Sequence, residues 1–114
     1  MNKANVLKLA EHIECLDPEE YDQTQWRHWP CHTPACIAGH AVWLAGKWHR
    51  MEDEEFPEVM SCARRWLGLE IPEAEELFDE NPMEWGDTPT PQEAAATLRH
   101  LAETGEVRWQ RATP

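Results

Sequence analysis

Positive charge is scarce in this chain: ten Lys and Arg stand against 22 Asp and Glu, a formal net charge of −12. Recognition of nucleic acid through its phosphates wants clustered Lys and Arg, so direct nucleic-acid binding is not expected. Long apolar runs are missing too. No stretch reaches the roughly 18 uninterrupted apolar residues that mark a membrane-crossing helix, and no membrane partner is expected. The first ten residues lack the basic-then-apolar build of a secretory signal, because Val6, Leu7 and Leu9 are soon followed by Glu11 and His12. A cytoplasmic location is the expectation, whether the maker is a cell or a virus inside one. Paired Cys-x-x-Cys knuckles are absent, as are internal repeats and low-complexity segments.

What is present fits one small all-α domain over residues 1–114, with one modest core. Seven tryptophans supply much of the apolar area available for burial. The four cysteines, in a reducing compartment, read as thiols, ligands or catalytic groups before structural disulfides. The negative charge is concentrated. Residues 52–87 hold 13 Asp and Glu against Arg64 and Arg65 alone, while the flanking segments are nearly neutral. Such a segment suits solubility or a basic partner surface.

Five short helices follow from periodicity and stop signals. Asn2 caps a helix over 3–16 whose inner stripe is Val6, Leu9, Ala10, Ile13 and Leu16, with Cys15 on the polar side. Residues 19–33 form an aromatic-rich loop with Tyr21, Trp26 and Trp29. A second helix over 34–48 opens at Thr33-Pro34, a cap followed by a residue that needs no donor. Its core face is Ile37, Ala38, Ala41, Leu44, Ala45 and Trp48, and Cys36, His40, Trp43 and Lys47 make a separate stripe. The third helix opens at Pro57 and runs to about Leu67, with Phe56, Val59, Met60, Ala63, Trp66 and Leu67 as its core face and Cys62 at the border, and Gly68-Leu69 stops it. A fourth begins at Pro72 with Ile71, Ala74, Leu77 and Phe78 inward and Glu73, Glu75, Glu76, Asp79 and Glu80 outward. Thr90-Pro91-Gln92-Glu93 is a capping box for the last helix, which runs to Glu103, buries Ala94, Ala95, Leu98, Leu101 and Ala102, and stops at Gly105. Val107 and Trp109 belong to a short extended tail, held by its tryptophan. Helix 2 is expected at the centre of the bundle.

Cys31, Cys36 and His40 invite several chemistries. Thiolate and imidazole suit zinc, with Cys62 or His32 completing four ligands. Cys36, at a helix start, can instead be a low-pKa nucleophile with His40 or His32 as base. No orienting Asn or Asp lies nearby in sequence, so catalysis is the less favoured reading. A Cys31–Cys36 disulfide, or plain packing of small thiols, also fits. The residues leave these alternatives open. Trp66–Leu69 with Pro72–Phe78 has the outline of a helix-turn-helix, but its second helix is acidic and would repel phosphates. The carboxylates of 52–87 can also stand in for phosphates, making a DNA-mimicking inhibitor a further alternative.

The motif Cys31…Cys36-Ile37-Ala38-Gly39-His40-Ala41 combines with Trp66-Leu67-Gly68-Leu69, Glu73-Ala74, Leu77-Phe78, Thr90-Pro91, Ala94-Ala95, Leu98-Arg99 and Glu103-Thr104-Gly105-Glu106-Val107-x-Trp109. Together they resemble a group of small bacterial and phage proteins with a C…C-[IL]-A-G core and the same closing helix and tail. The resemblance implies a fold unit and transfers no activity and no functional residue. The leading expectation is a non-enzymatic interaction or regulatory protein. Its surface would be Trp26, Trp29, Trp43, Glu73, Glu76, Asp79 and Glu80, meeting a basic-surfaced protein.

Overall fold

The computed structural model describes residues 1–17, 37–47, 56–78 and 89–110, and among them there are helices and no strand. The helices are α1 (Lys3–Glu14), α2 (Ile37–Leu44), α3 (Phe56–Leu67), α4 (Ile71–Leu77) and α5 (Pro91–Thr104). The expected all-α class holds. The aromatic-rich loop of residues 19–33 lies outside the described residues.

α1 starts where its sequence says it should, with the Asn2 side chain accepting the Asn5 backbone N–H at 3.1 Å. It ends at Glu14, two residues before the periodicity runs out, because the Leu16 N–H closes back on the Ile13 carbonyl at 3.0 Å and tightens the last turn. Val6, Leu9, Ala10 and Ile13 are fully buried, and a large apolar side chain so placed contributes about 1.5–3 kcal/mol. This stripe packs against α5, α2 and α3. α1, and not α2, is therefore the central element among the described residues. Its 12 residues carry an inward stripe over their whole length, and it meets three other described helices.

The end of α2 also differs from expectation. Gly46 adopts φ +72°, its N–H bonds the Trp43 carbonyl at 3.0 Å, and the Lys47 N–H bonds the Val42 carbonyl at 3.1 Å. That pair of bonds is a Schellman stop, which terminates the helix at Leu44 instead of residue 48. The same device ends α3, with Gly68 N–H to the Arg65 carbonyl and Leu69 N–H to the Arg64 carbonyl. Here a neighbour arrives as well. The Asn2 N–H donates to the Leu67 carbonyl at 2.8 Å and the Asn5 side-chain amide donates to the Trp66 carbonyl at 2.8 Å. The start of α1 thus satisfies carbonyls that the end of α3 leaves without helical partners.

In α3, Val59, Ala63 and Leu67 are fully buried, with Met60, Cys62 and Trp66 partly buried against them. α4 buries Ala74, Leu77 and Phe78 as expected, but Ile71 is 58% exposed. Ile71 is the first residue of α4, where the chain has not completed a turn. The apolar position before the cap is taken by Leu69, only 3% exposed, so the inward role passes to it. α5 has the expected capping box: Thr90 Oγ1 accepts the Glu93 N–H at 3.1 Å, and Glu93 Oε1 accepts the Thr90 N–H at 2.8 Å. The helix runs one residue past Glu103 to Thr104 and stops at Gly105 with φ +78°. Beyond it the extended tail is strapped down. The Gln110 N–H donates to Thr97 Oγ1 at 2.9 Å and the Trp109 indole N–H donates to the Glu76 carbonyl at 3.0 Å.

Candidate functional site

The residues expected to form a site are distributed unevenly. Cys31, Cys36, Trp26, Trp29, Asp79 and Glu80 lie outside the described residues. His40 stands midway along α2, half-buried, and Trp43 is 42% exposed one turn later. Lys47 falls past the Schellman turn, so the stripe expected over positions 36, 40, 43 and 47 does not continue to it on the helix. Cys62 is half-buried on α3, packed against the apolar core. Glu73 uses its carboxylate locally, accepting the Glu70 N–H at 2.9 Å. The Glu76 side chain is exposed.

A residue not expected from sequence joins His40. His12, in the last turn of α1, places Nε2 at 3.1 Å from His40 Nδ1, with ring centroids 5.1 Å apart and planes tilted by 56°. Both rings are half-buried between α1 and α2. Local sequence explains each position. His12 follows buried Leu9 by three residues and precedes partly buried Leu16 by four, which sets it at the edge of the inward stripe of α1. His40 sits between Gly39 and Ala41, two small buried residues that allow the helices to come close. A histidine at a stripe edge was the one available signal, and only the pairing of α1 with α2 gives it meaning.

At this distance one ring donates an N–H and the other accepts with its lone pair, so the accepting ring is neutral. Two imidazolium rings could not make this bond, since each would present a donor. The arrangement can share a proton or place two nitrogen ligands on one ion. Among the described residues, no three His, Cys, Asp or Glu side chains form a metal-holding group. Cys62 therefore does not make a trio with His12 and His40.

The described ion pair is elsewhere on α1. Arg99 of α5 grips Glu14 with both terminal nitrogens, Nη2 standing 3.0 Å from Oε1. That hydrogen bond, helped by Coulomb attraction and opposed by slight burial, holds the Glu14 carboxyl below its ordinary value. Arg99 is correspondingly held above its own, chiefly through the same bond.

No described helix is long and apolar enough to cross a membrane. No family model, curated protein or solved structure matches the chain.

Proposed function

We propose that the chain is a non-enzymatic interaction module that docks its acidic α3–α4 side onto a basic surface of another protein. The observation carrying this reading is the fate of the two cations in the acidic segment. Arg64 donates to the Leu69 carbonyl at 3.1 Å and Arg65 to the Ser61 carbonyl at 3.3 Å. Neither neutralises a carboxylate among the described residues. Glu58, Glu70, Glu75 and Glu76 stay exposed, and the exposed Ile71 adds an apolar contact point in their midst. An uncompensated acidic face accelerates encounter with a basic one and rejects acidic partners, more than it adds affinity. Trp26, Trp29, Trp43, Asp79 and Glu80 extend the same reading from sequence.

The test is capture of partners by the full chain beside a Glu70→Gln/Glu75→Gln/Glu76→Gln variant, each at low and high salt. A basic-surfaced protein held by the parent at low salt, and lost both in the variant and at high salt, is the expected result. Screening of exposed charges predicts that salt dependence. Retention indifferent to the three substitutions removes the electrostatic reading.

A further inference from the structure

We infer that the tail after α5 is a releasable clasp for α4, which stays folded while the tail is seated and opens when it lifts. The clasp joins two helices. Gly105, at φ +78°, turns the chain out of α5. Thr97 and Gly105 are eight positions apart, roughly 12 Å of helix. The steps from Gly105 to Gln110 span about 17 Å when extended, so the tail runs back along α5 with little slack. Gln110 completes that return, its N–H donating to Thr97 Oγ1 at 2.9 Å, and Thr97 is fully buried. One residue earlier, the Trp109 indole N–H donates to the Glu76 carbonyl of α4 at 3.0 Å. Val107 and Trp109 add partly buried apolar contact with the core.

α4 needs such support. Both of its ends lie within the described residues, from the Glu70 cap to Phe78, and it has seven residues. An isolated helix becomes marginal in water only at roughly 12–15. Its start is closed locally, since Glu73 accepts the Glu70 N–H. Its last described helical bond runs from the Phe78 N–H to the Ala74 carbonyl. The Glu76 carbonyl is therefore one of the acceptors that a helix end cannot fill from within, and Trp109 fills it from outside. Among the described helices α4 packs chiefly on α3, while α1 and α5 form the main pair. A short element so placed opens before the rest of a fold does. Seating Trp109 requires a formed last turn, and unwinding that turn breaks its bond, so the two openings are one event. Because α4 carries Glu75 and Glu76, the clasp also sets how the acidic face is presented, a consequence that rests on the docking reading above.

Native-state hydrogen exchange of the full chain, with no partner present, tests the clasp. In the unmodified protein the Phe78 amide, the Gln110 amide and the Trp109 indole N–H should share one protection, below that of the slowest α1 amides. Trp109→Phe keeps a ring and removes the donor, and loss of one such bond should speed Phe78 exchange by roughly 2- to 10-fold. Thr97→Val undoes the other fastening, on α5 and away from α4, and should speed Phe78 within the same range. The slowest α1 amides should quicken by the same factor, because both openings start from the clasped state. Phe78 exchange that keeps its parent rate in either variant overturns the inference, since α4 then opens with the tail still seated. So does Phe78 protection equal to that of α1 in the unmodified chain, where α4 would open only with the whole fold. That second measurement needs no variant, so the test survives a substitution that folds poorly. Either failure leaves acidic docking standing, because salt-dependent capture tests it separately.

Discussion

α5 and α2 both pack against α1, yet they differ in what makes them helices. α5 spans 14 residues, carries a complete capping box at Thr90 and Glu93, and ends at a left-handed Gly105. Its start and stop are local, and its tail is tied back by Thr97 and Trp109. α2 is described over eight residues, Ile37–Leu44, and closes on the Schellman turn at Gly46. Ile37, Ala38, Gly39, Ala41 and Val42 are all buried, so neighbouring helices cover most of the described stretch of α2. The polar contacts to α1 differ in the same sense. Arg99 of α5 meets Glu14 in an ion pair whose side chains are 43% and 47% exposed, which solvent screens. His40 of α2 meets His12 in a half-buried pair between the helices. α5 thus shows local signals at both ends and a tail strapped to it, whereas the described part of α2 shows a local stop and a mostly buried surface.

Substitutions can break that contrast. The largest expected effect comes from Leu98→Ala and Ile37→Ala, each removing a fully buried side chain at a cost of about 2–5 kcal/mol in urea unfolding. They should differ in what loosens. Amide exchange should rise throughout α2 in Ile37→Ala, while in Leu98→Ala the capped first turn of α5 keeps its protection. Equal loosening of both helices would erase the distinction. Next come the helix stops. Gly46 and Gly105 have open space where a Cβ would go, so alanine costs only its left-handed backbone, roughly 1–2 kcal/mol. At Gly68 the added Cβ would lie 2.7 Å from the Asn2 backbone nitrogen, so Gly68→Ala should lower the unfolding midpoint further than either of the others. A Gly68→Ala variant no worse than Gly46→Ala would mean that the start of α1 does not press on α3.

The smallest effect belongs to Glu14→Gln. The Glu14 carboxyl is depressed by Arg99, so the folded chain resists its protonation more than the unfolded chain does. Its contribution is complete above the ordinary carboxylate value and disappears as pH falls through the lower folded value. Unfolding midpoints measured across that acidic window should fall less steeply in the variant. An unchanged pH slope would show that the exposed pair contributes nothing.

Much of the fold was legible because its signals are local. Asn2, Thr90 with Glu93, Gly68-Leu69 and Gly105 each act on backbone groups within a turn of themselves, and each sits where its chemistry places it. Ile71 and the end of α2 were misjudged because an apolar period says which residues could face inward but not where a helix has its full turns. A glycine with positive φ decided the second case. The candidate site was half legible. His40 stood out through its spacing from Cys36, whereas His12 stood among the periodic residues of α1 with nothing local to distinguish it.

Sequence alone therefore determined the all-α class, the inner stripes and most of the caps and stops, because those depend on neighbours three or four residues away. The concentration of charge in 52–87 was likewise fixed by composition. Tertiary structure decided that α1 is the central helix among the described residues and that His12 faces His40 across 28 positions of chain. These are meetings between residues that no period connects. They exist only once burial has brought the helices together.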